Sequence, residues 1–107
     1  MKQDRFTVVE REEVLIECSK IRNNKNCGEP YWERIVEDDK KHKSTIRLEK
    51  GDEFDLETDP PCLKILDVQM SNSGDYYCCI EYSTSDVKKT VKKEKAHLII
   101  KKSKHIL

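Results

Sequence analysis

The chain is predicted to fold as an all-β sandwich of two antiparallel sheets, and three observations carry that reading. The first is the run Asn72-Ser73-Gly74-Asp75-Tyr76-Tyr77-Cys78. A tyrosine two residues before a cysteine, after a tight Ser-Gly turn, lets the phenol lie over the corner between two strands and bond the backbone upstream. The second is Val14-Leu15-Ile16-Glu17-Cys18, where Val14, Ile16 and Cys18 share one face and Glu17 takes the other. That alternation marks a half-buried strand. The third is Trp32, placed between the two cysteines. Because side chains alternate with period two along a strand, Cys78 shares a face with Tyr76 and points where a partner sulfur could meet it.

The remaining elements follow from turn formers and alternation. Phe6-Thr7-Val8-Val9 reads as a first strand and Val14 to Ser19 as a second, parted by the charged turn Glu10-Arg11-Glu12-Glu13. Asn23 to Pro30 supplies a loop before a strand at Tyr31 to Val36. Glu37 to Lys43 is a charge-rich hairpin leading to a short strand within Ser44 to Glu49, and Lys50-Gly51-Asp52 turns the chain into an alternating strand at Glu53 to Glu57. Asp59-Pro60-Pro61 should stop that strand before the next, Leu63 to Gln69. Phe54, Leu56, Leu63, Ile65 and Val68 are the expected core. A strand at Asp75 to Tyr82 turns Tyr76, Cys78 and Ile80 inward and Tyr77, Cys79 and Glu81 outward. Ser83 to Asp86 begins the turn into the last strand, which ends in Ala96-His97-Leu98-Ile99-Ile100. No internal repeat or low-complexity segment interrupts this order.

Taken together, Cys18, Trp32 and the Tyr76 to Cys78 run resemble the variable-type (V-set) immunoglobulin domains of cell-surface immune receptors, T-cell co-receptors among them, over nearly the whole chain. The resemblance implies an inter-sheet disulfide between Cys18 and Cys78, with Trp32 on strand C packed against it and Leu63 and Ile65 on strand E. The hairpin at 37–49 matches the extra strands of the variable type. Two departures stand out. The Phe-Gly-x-Gly bulge that shapes antibody-style pairing is replaced by Val87-Lys88-Lys89-Thr90-Val91, and the family's buried Arg–Asp link is lost at both ends, with Glu53 before Phe54 and Asn72 in place of the Asp. Losing both partners avoids stranding one buried charge. Of the other cysteines, Cys27 and Cys79 are placed to form a second bridge, whereas Cys62 is expected on the exposed outer face of the opposite sheet, as a free thiol or an intermolecular link.

A chain of 107 residues is one domain, assigned to residues 1–102 with 103–107 as a stalk or added tail. Five cysteines in so short a chain imply an oxidising compartment, hence an extracellular ectodomain. The opening residues cannot be a signal peptide and no segment has the length of a membrane span, so membrane attachment would need a segment absent from this chain. Net charge is zero, but from Ser83 onward eight lysines face only Asp86 and Glu94, so that end carries +6 and the remainder −6. Such an end could bind an acidic partner such as a glycosaminoglycan, or simply blunt an edge strand. Without interleaved aromatics it does not read as a nucleic-acid site. His42, His97 and His105 stand apart from the cysteines, and Cys78-Cys79 lacks zinc-ligand spacing, so neither metal, cofactor nor enzymatic activity is expected. No Asn-x-Ser/Thr acceptor is present.

The resemblance implies a non-enzymatic recognition module that binds a protein ligand, with self-association into a homodimer through the C-F-G sheet face as one form of that binding. The contact regions mapped from it are the loops Arg22 to Glu29, Asp38 to Lys43 and Ser83 to Val87, together with the sheet face. The named candidates are Arg22, Asn24, Lys25, Tyr31, Arg34, Lys40, Lys41, Tyr77, Glu81, Ser83, Thr84 and Ser85. Tyr31 and Tyr77 are either contact anchors or ordinary solvated tyrosines. The alternatives are a signalling subunit of an antigen-receptor complex tied to a partner chain through Cys62, and a secreted decoy binding an acidic partner.

Overall fold

The computed structural model describes residues 5–18, 28–58, 61–83 and 89–102. Within them lie strands β1 (Arg5–Val9), β2 (Val14–Glu17), β3 (Tyr31–Glu37), β4 (Lys43–Arg47), β5 (Phe54–Thr58), β6 (Pro61–Ile65), β7 (Gly74–Ser83) and β8 (Lys89–Lys101), with one 3-10 turn at Met70–Asn72. They form two sheets, a five-stranded one in the order β1-β8-β7-β3-β4 and a three-stranded one in the order β2-β6-β5. Each sheet turns one face inward, as alternation requires. Val14 and Ile16 are buried while Leu15 and Glu17 are exposed on β2. Tyr76, Cys78 and Ile80 on β7 meet Leu63, Ile65 and Val68 from the opposite side, all of them without exposed surface. The expected core is present, with Phe54 buried and Leu56 packed against it.

Three elements differ from expectation. β1 pairs with β8 in parallel, Arg5 opposite His97 through Val9 opposite Lys101, so the larger sheet is not purely antiparallel. β8 is 13 residues long because it serves both neighbours, its first part paired to β7 and its last part to β1. Pro61 does not precede the next strand but opens it, opposite Thr58. The first residue of a strand is a position that tolerates proline's missing N–H.

Strand direction defines two ends of the sandwich. At the upper end Gly28 donates its N–H to Glu81 O (3.0 Å), Cys18 N donates to Pro61 O (2.9 Å), and β7 ends at Ser83. At the lower end lie the start of β5, the 3-10 turn and the turn between β3 and β4. That turn is closed by the Asp38 carboxylate, whose Oδ1 accepts the backbone N–H groups of Lys40 (2.9 Å) and His42 (2.8 Å), and Lys41 takes a left-handed conformation within it (φ 64°). An aspartate bonded to the backbone two residues on is how short polar side chains stabilise turns.

A polar corner fastens the lower end. Tyr76, with no exposed surface, donates its hydroxyl to Asn72 O (2.5 Å), the bond anticipated from its place before Cys78. Asn72 is equally buried, and its amide donates to Glu53 Oε1 (2.9 Å) while its Oδ1 accepts the Gln69 N–H (2.7 Å). The two positions at which the charged pair was lost thus still bond each other, as amide to carboxylate. Arg34 completes the corner: its Nη2 donates to Ser71 O (2.7 Å) and its guanidinium lies 5.2 Å from the Tyr76 ring centre.

Candidate functional site

The outer face of the five-stranded sheet gathers three of the described contact candidates, Tyr31, Tyr77 and Glu81. Cross-strand register places Tyr31 opposite Cys79, Glu33 opposite Tyr77, Cys79 opposite Lys93 and Glu33 opposite Arg47. These residues belong to the outward set, since Trp32, Tyr76 and Cys78 on the same strands point in. Tyr31 is half-buried beneath the guanidinium of Arg47, 4.3 Å from its ring centre. Burial, then the nearby Cys79, Glu33 and Glu81, raise its phenol above the ordinary tyrosine value. A cation over an aromatic face costs little flexibility and holds the ring in place. Glu81 is exposed at the upper edge, and Tyr77 is half-buried nearer the centre.

Beside Tyr31 lies a small closed cluster. Glu33 Oε1 accepts from both the Cys79 thiol (3.4 Å) and Lys93 Nζ (3.2 Å). Cys79 faces outward as expected, yet it has no exposed surface, because these neighbours cover it. Burial, followed by the Glu33 hydrogen bond and charge, pushes its thiol up to about 12. Lys93 is raised in turn by its bond to Glu33. Cys27, its expected bridge partner, lies outside the described residues.

Several expectations need correction. Arg34 is not on the outer face: it stands opposite Tyr76, on the inward side with Trp32, and is spent on the lower corner. Alternation along β3 decides this, since Arg34 is two residues from the core tryptophan. Lys40 and Lys41 lie at the opposite end from Gly28 and Glu81, because β3 runs from Tyr31 at the upper end to Glu37 at the lower and carries its following turn there. Cys62 does sit among outward residues, opposite Glu17 and Glu57, but it is only 5% exposed. Burial first, then those two carboxylates, raise its thiol, so it is a poor nucleophile at neutral pH. Arg22, Asn24, Lys25, Thr84 and Ser85 lie outside the described residues, as does the side chain of Ser83.

The basic end is also partly neutralised. Lys93 pairs with Glu33 (3.2 Å) and Lys95 with Asp75 (3.6 Å), so lysines of β8 meet carboxylates carried by β3 and β7. Sequence reasoning saw the lysine excess but not these cross-strand partners, which only register reveals. On the inner side, Cys18 and Cys78 face each other as buried thiols between the sheets, the juxtaposition that an inter-sheet disulfide requires. Hydrogen bonding with Cys18, then burial, strongly raises the Cys78 thiol, and Cys18 donates to Glu94 Oε2 (3.5 Å). Among the described residues no group of three or more metal-ligating side chains converges, and no helix is long and apolar enough to cross a membrane.

No protein-family model matches the chain, and no curated protein matches its sequence. Solved structures do. The natural killer cell receptor NKp44, described as a triggering partner in natural cytotoxicity, is similar over 94% of this chain and 100% of its own, at 18% identity and a TM-score of 0.68. Murine CRIg is similar over 92% of both chains, at 15% identity and a TM-score of 0.66. The V domain of amphioxus IgVJ-C2 covers 89% of this chain and 98% of its own, at 13% identity and a TM-score of 0.60. At these identities the likeness establishes the fold, a variable-type immunoglobulin sandwich.

Proposed function

We propose that this domain is a non-enzymatic recognition module, the extracellular part of an immune cell-surface receptor, and that it binds a protein through the outer face of its five-stranded sheet. The observation that carries this is the treatment of Tyr31 and its surroundings. Arg47 braces the ring, Glu33 and Lys93 neutralise each other beside it, and Tyr77 stands opposite Glu33 on the neighbouring strand. Rigid amphipathic aromatics in a charge-balanced surround are what protein interfaces use as anchors, because little side-chain entropy is lost on contact. A second copy of the domain is one such partner, with Tyr31 and Tyr77 packing across a two-fold axis. The shielding and raised thiol of Cys62 favour this non-covalent mode over a link to a partner chain through that residue.

Sedimentation velocity over a range of concentrations tests the homodimer, comparing the wild-type domain with the double variant Tyr31→Ala and Tyr77→Ala. Concentration-dependent association of the wild type, lost in the variant, is expected. A wild type that stays monomeric throughout would leave only a heterologous protein ligand. Equal binding of wild type and variant to cells that display the ligand would then dispose of the sheet face.

A further inference from the structure

Lower on the same face, Arg5 of β1, His97 and Lys95 of β8 and Asp75 of β7 line a concavity of about 270 Å³. Register builds it. Arg5 stands opposite His97, His97 opposite Asp75, and Lys95 lies two residues before His97 on the same side of β8. Asp75 Oδ1 is 2.6 Å from His97 Nδ1, and its Oδ2 is 3.6 Å from Lys95 Nζ. Arg5 is exposed and makes no ion pair among the described residues. Three basic groups therefore surround one carboxylate, an excess of one positive charge with a neutral imidazole and two with a protonated one. Asp75 already satisfies His97 and Lys95, while the guanidinium of Arg5 keeps its paired donors in the fork that matches a carboxylate.

We propose that this concavity is an anion subsite that takes the carboxylate of an acidic side chain on a protein partner, with Arg5 as the principal donor and Lys95 and His97 adding charge. The subsite rests on the reading of the outer sheet face as a protein-binding surface, and it extends that surface toward β1. Asp75 and Tyr77 from β7, Lys95 from β8 and Arg5 from β1 are the titratable or charged groups that face His97.

The test is a backbone and imidazole NMR titration of the isotope-labelled domain with sodium acetate, against sodium chloride at equal ionic strength, and then with a terminally blocked peptide bearing one glutamate. Saturable shifts confined to Arg5, Asp75, Lys95 and His97 are expected with both probes. Arg5→Gln should abolish saturation, and Asp75→Asn should tighten binding by removing the competing carboxylate. Shifts equal in chloride, or saturation surviving in Arg5→Gln, would overturn the subsite. Saturation by acetate without the peptide would overturn the acidic side chain as its occupant. Because the titration uses the isolated domain and small probes, its outcome is separate from the sedimentation and cell-binding results that judge the sheet face as a whole.

Discussion

The lower corner shows how one residue change is absorbed by its neighbours. Asn72 has no exposed surface and bonds Glu53, so a carboxylate at either position must find a partner that is not another carboxylate. Asn72→Asp would set a buried carboxylate against the exposed one of Glu53, and a loss of about 1–3 kcal/mol is expected at neutral pH. Adding Glu53→Arg should recover most of it. Urea denaturation of the two singles and the double measures this, and additive losses would mean that the positions do not interact. Asp75 makes the second residue-scale prediction. Burial works to raise its carboxyl, but the His97 hydrogen bond and the charges of Lys95 and His97 outweigh that and hold it below the ordinary aspartate value. A depressed folded-state value stabilises the fold above the unfolded aspartate range, about pH 4, and that contribution fades as pH falls through the folded value. Asp75→Asn should therefore flatten the acid limb of the stability profile, leaving the loss of stability below about pH 4 shallower than in wild type.

At the scale of elements, the start of β7 is the point of greatest constraint. Gly74 takes φ of +130°, a conformation that side chains rarely adopt, and a Cβ there would lie 4.0 Å from Ile35 O. Space is not limiting; the backbone is. Gly74→Ala should cost about 1–3 kcal/mol through the dihedral alone, and thermal unfolding with the circular dichroism shape unchanged is the expected record. An undiminished midpoint would show that the turn relaxes. The β3–β7 pairing ends at Arg34 opposite Tyr76, so the two strands part just where Gly74 begins β7. Alternation named Gly74 as a turn residue and Tyr76 as the corner tyrosine, but it could not say that Arg34 would be drawn to the same corner. A charged residue in an alternating strand reads as outward until its register against a core residue is known.

For the molecule as a whole, the described core that joins the two sheets holds three buried aromatic side chains, Trp32, Phe54 and Tyr76, with Phe6 packed against it. A bond between the facing Cys18 and Cys78 would close a loop of about sixty residues and contribute roughly 4 kcal/mol by restricting the unfolded chain. Non-reducing peptide mapping of protein folded under oxidising conditions should recover that link. Reduction should lower the denaturation midpoint, and an unchanged midpoint would show that the sulfurs contribute only as packed thiols. Cys62 and Cys79 should resist alkylation in the native state, since both are covered and both thiols are raised. Rapid labelling of either at neutral pH would contradict the burial.

What the order of residues determined by itself is the sandwich: period-two alternation around the core cysteines, the corner tyrosine and the tryptophan marks the inward faces of the main strands, though not the inward turn of Arg34 or the start of β6 at Pro61. These are local properties, legible because each depends only on neighbours along the chain. Tertiary structure alone decided which carboxylate meets which lysine, that Cys62 and Cys79 are covered although they face outward, that β1 runs parallel to β8, and that the turn bearing Lys40 and Lys41 lies at the pole away from Glu81. Those outcomes depend on the register between strands distant in sequence, and shifting register by one residue would exchange every inward and outward partner.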